Sequence, residues 1–150
     1  MKQLSHINRR GEASMVDVSA KPVVMREAVA SGTIRLQKST LKLIQSDAIA
    51  KGNVLAAARL AGIMAAKKTG DLIPLCHPLA ISHCEVNFKI PKSADRIVIM
   101  ATAKIAAQTG VEMEALTAVS IAALTIYDMC KAVDKKMRIT DVVLVSKTKK

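Results

Sequence analysis

The segment Val111–Val133 constrains this chain more than any other. Leu116, Val119, Ala123, Ile126, Cys130 and Val133 recur in it at three- and four-residue steps, so the spacing predicts one long helix opened by Gly110. Most residues between them are small or apolar too, which leaves the helix apolar nearly all round. Such a helix must be covered on most of its faces, by the rest of the chain or by a second copy of it. A bilayer is not the expected cover: charged residues interrupt every candidate, and no uncharged apolar run reaches the ~18 residues a span requires.

The remaining pattern supplies the cover. Residues 1–20 are polar and mixed and read as an arm. From Val23 to Leu36 the chain is rich in Val and Ile but carries Arg26, Glu27, Arg35 and Ser31-Gly32, as in a bent or bulged strand. Thr40–Ala50 reads as a short helix. From Asn53, Leu55, Ala58, Ala65 and Ala66 follow helical steps until Lys67, Lys68 and Gly70 end them. Ser82–Ile90 and Arg96–Ala106 alternate with a period of two across the Pro91–Asp95 turn, a hairpin, and Arg138–Ser146 closes the chain as a strand. The order strand, helix, strand, strand, helix, strand is the ferredoxin-like split βαβ plan: an α+β sandwich with an antiparallel sheet and helices on one face. With no linker or repeat in 1–150, one domain is expected.

Charge narrows the ligand. In 150 residues, 23 Lys and Arg stand against 12 Asp and Glu, a formal charge of +11, which favours an anionic partner. Nucleic acid is disfavoured, because single-strand binders stack bases on aromatic side chains and this chain has only Phe88 and Tyr127. Three Cys, at 76, 84 and 130, form no CxxC pair and leave one over from any disulfide. Reduced thiols, and an N-terminus with Lys2, Arg9 and Arg10 but no apolar core or cleavage site, point to the cytoplasm.

Cys76 and His77 sit between Pro74 and Pro78 in a helix-to-strand connection, where sites are often built. With His83 and Cys84 they resemble a zinc set. The members of each pair are adjacent, however, whereas structural zinc ligands stand about two to four residues apart, so no metal is expected. Asp128 and Lys131 share one helical face, as either a surface ion pair or an acid/base couple. Lys51-Gly52-Asn53 places a cation and free amides just before a helix, a way to hold phosphate, although Walker A spacing is absent. Lys21, Arg26 and Lys67 are further cations near element ends. Along one helix Glu114 and Asp128 would lie roughly 21 Å apart. If both act on one small ligand, two subunits must build the site, and an oligomer is expected.

Leu4-Ser5-His6, Met15-Val16-Asp17-Val18, the run Gly70-Asp71-Leu72-Ile73-Pro74-Leu75-Cys76-His77-Pro78-Leu79, and Thr109-Gly110-Val111-Glu112-Met113-Glu114-Ala115-Leu116 continuing to Tyr127-Asp128-Met129-Cys130-Lys131-Ala132-Val133-Asp134 closely resemble the molybdenum cofactor biosynthesis protein C (MoaC) family. The similarity covers nearly the whole chain. It implies a ferredoxin-like subunit in a hexamer of three dimers, with sites at the dimer interface. The implied activity is that of a cyclic pyranopterin monophosphate synthase, a lyase that rearranges 3′,8-cyclo-7,8-dihydro-GTP and releases pyrophosphate. Carried over by position, Asp128 and Lys131 would be the acid/base centre with Lys51 assisting. His77, Glu112 and Glu114 would hold the guanine-derived ring in a pocket lined by Leu75, Cys76 and Met113. On charge and placement more than on motif, Arg26, Lys21 and Lys67 would meet the triphosphate; no cofactor is expected, and whether Mg²⁺ accompanies the triphosphate stays open. The family has a Gly-rich tail after the last strand where this chain has Lys147-Thr148-Lys149-Lys150, so weaker closure over the substrate is expected. Two rival readings remain: a nucleotide-sensing module in which Asp128 is dispensable, and a nucleic-acid binder with steep salt dependence.

Overall fold

The computed structural model describes residues 4–150; the first three residues of the arm, Lys2 included, lie outside it. Four strands, β1 (Val24–Arg35), β2 (His83–Lys89), β3 (Arg96–Ala107) and β4 (Arg138–Lys149), form one sheet in the order β2-β3-β1-β4. Every neighbouring pair is antiparallel. The helices are α1 (Lys38–Gln45), α2 (Val54–Lys67), α3 (Thr69–Leu72) and α4 (Glu112–Cys130). This is the ferredoxin-like α+β arrangement that the periodicities predict.

The alternation of β1 and β3 explains the layering. Ala28, Ala30 and Ile34 of β1 and Ile97, Ile99, Ala101, Ala103 and Ile105 of β3 are buried, while their alternate neighbours are less so. Against that face lies α4, burying Ala115, Ala118, Val119, Ala122, Ala123 and Ile126, and α2 packs beside it against α4 and β2. The length and apolar composition of α4 would also suit a membrane span; here its buried face is used on the sheet. Small residues bring the helices close. A Cβ on Gly62 would stand 2.8 Å from the Ala118 backbone oxygen and 3.1 Å from Val86 Cγ2. In Gly62→Ala, overpacking of roughly 1–3 kcal/mol opposes a helix-propensity gain of about 0.5–1 kcal/mol, so overpacking wins. A lower urea midpoint is expected, and an unchanged one would show that α2 moves away from α4 at no cost.

Several boundaries differ from the sequence reading. β1 is bulged as expected, with register shifts against β4 between Val29 and Ala30 and between Ser31 and Thr33. Gly70 does not cap α2. Lys68 does, and Gly70 lies inside α3, where a Cβ would come within 2.9 Å of Pro78 Cα, so the glycine lets the Cys76-His77 loop fold back. α1 stops at Gln45, before Asp47 turns to a positive φ of 53°, and α4 stops at Cys130. Gln37 offers α1 no side-chain cap; the Asp134 carboxylate instead accepts from Gln37 N–H at 3.0 Å and Thr40 Oγ1 at 2.8 Å. Finally, β4 does not end at Ser146 but stays paired to β1 as far as Lys149, opposite Arg26.

Candidate functional site

Three segments converge around a cavity of about 610 Å³: the arm, the loop Ile73–Leu79 after α3, and the first turn of α4. His77 fastens the first two together, its Nε2 lying 2.6 Å from the Val16 carbonyl oxygen. Gln108 fastens the arm again, donating from Nε2 to Ser19 O at 3.3 Å and Lys21 O at 3.2 Å. Val16, Val18, Ile73, Leu75 and Met113 make the wall largely apolar, and Lys21, Cys76, His77 and Glu112 add polar groups. Burial pushes the Cys76 thiol above its ordinary range, and the Glu114 and Glu112 carboxylates push it further the same way. It therefore lines the cavity as a neutral thiol, not as a thiolate nucleophile.

The two glutamates of that turn behave oppositely. Burial works to raise Glu112, but its own backbone N–H, the Lys147 ammonium at 3.0 Å and the Arg26 charge outweigh it and hold the carboxyl below its usual range. Glu114 is 1% exposed, and neither of its carboxylate oxygens has a hydrogen-bond partner. Burial raises its pKa, its own backbone N–H opposes this, and the Glu112 charge adds to the rise. Within one chain Glu114 lines neither this cavity nor the next.

A second cavity, about 220 Å³, shares Gly110 and Glu112 with the first. Its cations are Arg26, Lys147 and Lys149, brought together by strand register: Lys149 lies opposite Arg26, and Lys147 opposite Ala28. The Arg26 guanidinium is anchored by Nε to Ala107 O at 3.1 Å and Nη2 to Gln108 O at 3.2 Å. The sequence reading missed Lys147 and Lys149 as site residues. The signal was available, because Ser146-Lys147-Thr148-Lys149 carries a period of two beyond the apolar part of β4. Lys67 stands apart, with Gly70, Asp71 and Pro78 along a separate depression that shares only Leu79 with the main cavity.

At the other end of α4 the Asp128 carboxylate lies between two ammonium groups. Lys131 Nζ is 2.9 Å from Oδ1, and Lys51 Nζ is 3.0 Å from Oδ2 and 3.2 Å from the Asp128 backbone oxygen. Hydrogen bonds from Lys131 and then Lys51, with the charges of both, hold the Asp128 carboxyl below its usual range. Gly52, at φ 107°, turns the chain that presents Lys51. All three side chains are at least half exposed and line neither cavity. The structure thus gathers Lys21, Leu75, Cys76, His77, Glu112 and Met113 at one end of α4, with Arg26 next door. Asp128, Lys131 and Lys51 meet at the opposite end. Among the described residues no three His, Cys, Asp or Glu side chains are placed to hold a metal ion.

Comparison with known proteins is consistent along almost the whole chain. The MoaC family profile matches residues 15–150. The cyclic pyranopterin monophosphate synthase of Parvibaculum lavamentivorans is 59% identical over 147 residues, 98% of this chain and 92% of that protein. Cyclic pyranopterin monophosphate synthase 1 of Mycobacterium tuberculosis is 59% identical over 145 residues, 97% of this chain and 85% of its own length. The corresponding protein of Chloroflexus aggregans is 59% identical over 145 residues, 97% of this chain and 88% of its own length.

Proposed function

The chain belongs to the MoaC family, and on that premise we propose that it is a cyclic pyranopterin monophosphate synthase of molybdenum cofactor biosynthesis, acting on 3′,8-cyclo-7,8-dihydro-GTP. The observation that carries the reading is the segregation of the two adjoining cavities. The larger is mainly apolar and suits a flat heterocycle, whereas the smaller sets Arg26, Lys147 and Lys149 against Glu27 and Glu112, a surplus of positive charge that suits phosphate, and Gly110 and Glu112 lie between them. A ring with a polyphosphate tail matches that division, and a strongly basic chain would draw such an anion in.

In this reading Leu75, Cys76 and Met113 flank the ring. The ionised Glu112 accepts from its amino and ring N–H groups, and His77 holds the arm down over it. Arg26, Lys147 and Lys149 receive the phosphates, with Lys21 at the arm's edge of the larger cavity. Opening the five-membered ring, closing the pyranopterin and displacing pyrophosphate from the α-phosphorus each move protons. Asp128 remains a carboxylate between Lys51 and Lys131, so it orients two ammonium groups that can donate to departing oxygen or nitrogen and return as bases.

The reading requires a second copy. A single copy of α4 keeps the Asp128 group away from the cavity, and the helix layer leaves Leu60, Met64, Leu124 and Tyr127 exposed. A two-fold axis that runs α4 antiparallel to its copy would cover those residues and carry one chain's Asp128 group to the other's cavity. We take the dimer as the catalytic unit of a cytoplasmic hexamer. Anaerobic incubation of the purified chain with 3′,8-cyclo-7,8-dihydro-GTP tests the activity. Equal yields of pyrophosphate and of the fluorescent oxidised pterin are expected; tight binding without either product would favour the sensing module.

A further inference from the structure

We propose that His6 is a further substrate-contacting residue of the larger cavity, its imidazole hydrogen bonding the polar edge of the heterocycle from the arm side. This rests on the synthase reading for the identity of the ring. His6 lines that cavity from an exposed stretch of the arm, and among the described residues its ring makes no hydrogen bond, which leaves both nitrogens open to a ligand. Three other polar side chains there are engaged: His77 Nε2 is taken by Val16 O, Glu112 Oε1 is tied to Lys147, and the Cys76 thiol is held neutral, whereas Ser5, Lys21 and Thr109 offer no ring with both a donor and an acceptor. An unengaged imidazole at the mouth of an apolar cavity supplies both a donor and an acceptor to a heterocycle with alternating N–H and C=O groups.

The position of His6 is built. Residues 6–14 form a small hairpin: Ser14 N donates to His6 O at 2.9 Å, Asn8 N donates to Glu12 O at 2.9 Å, and Ile7 pairs with Ala13. Its turn is fixed by Asn8 Oδ1, which accepts from Arg10 N at 2.9 Å and Glu12 N at 3.0 Å, and by Gly11 at φ 79°. None of these bonds uses the His6 side chain, so the hairpin places the imidazole without consuming it. Arg26, Lys147 and Lys149 outnumber Glu27 and Glu112 in the neighbouring cavity and favour phosphate there, which leaves the ring as the ligand His6 meets.

The chain has three histidines, so their ring resonances can be followed directly during titration of the full-length protein with guanosine or with inorganic pyrophosphate. Guanosine is expected to move the His6 and His77 signals and to leave His83, on β2 outside both cavities, in place; pyrophosphate is expected to leave His6 unmoved. His6→Ala should weaken guanosine binding about tenfold, the loss of one hydrogen bond, while His6→Gln, which keeps a donor, should stay within about threefold of the native affinity. Arg10→Ala, at the exposed hairpin tip, should bind as the native chain does. Movement of His77 without His6 overturns the inference and leaves the synthase reading standing. Stillness of both removes the ring from the cavity, and the cavity assignment falls with the inference. A His6 signal that follows pyrophosphate instead of guanosine overturns the assignment to the ring.

Discussion

Asp128→Asn is expected to lower turnover of the cyclised nucleotide by about 10³-fold, the range that a positioned acid/base group contributes, with little change in affinity. Asparagine keeps the shape of the side chain but removes the charge that draws Lys51 and Lys131 to 3.0 and 2.9 Å, so the two ammonium groups separate. Exposed ion pairs of this kind hold little stability, and the variant should unfold at nearly the native urea concentration. Loss of rate without loss of fold is therefore the diagnostic result. A rate within tenfold of native would make the cluster an ordinary surface network. Coexpression then tests the two-chain site. In a dimer of Asp128→Asn with Glu112→Gln, one of the two composite sites has both groups intact, so random pairing should restore about a quarter of native activity. A site contained in one chain would give no restoration.

The sequence exposed some of this directly and hid the rest for physical reasons. Strand and helix order was readable because Ile97, Ile99, Ala101, Ala103 and Ile105 alternate strictly on β3, while Leu116, Val119, Ala123 and Ile126 step by three and four along α4. Helix ends were less legible, since they depend on tertiary partners: Asp134, far along the chain, caps α1, and Pro78 dictates Gly70. The end of β4 escaped because Lys147-Thr148-Lys149 keeps the period of two but has no apolar residue to show which face is buried, although register alone brings it to Arg26. Residues within a motif, such as Leu75-Cys76-His77 and Glu112-Met113, could be grouped from the sequence, since a loop and the helix start beside it form one wall. The separation of Asp128 from that wall followed from helix geometry. Membership of two adjoining cavities did not, because it depends on how the arm folds back onto His77.

Glu114→Met is expected to stabilise the chain by about 1–3 kcal/mol at neutral pH, the cost of leaving a buried polar group unpaired, while weakening substrate binding at least tenfold. Methionine fills a similar volume, and both Glu114 oxygens lack partners, so no hydrogen bond is lost. The sign of the pH dependence identifies the cause. Burial, joined by the Glu112 charge, raises Glu114 in the folded chain, so folding favours its protonated form. That favour is complete below the ordinary glutamate range and is lost as pH rises through the raised folded value, where the carboxylate must ionise without a partner. Asp128 and Asp134, both lowered, act in the opposite direction, but they are present in both proteins and cancel in the difference. Urea midpoints compared from about pH 4 to about pH 8 should show the gap between variant and native opening as pH rises. A gap that stays constant would assign the gain to packing, and a more stable native chain would mean that the carboxylate finds its donors within the assembly. Retaining such a group costs stability, and weakened substrate binding in the variant would assign the missing N–H donors to the substrate ring or to a second chain.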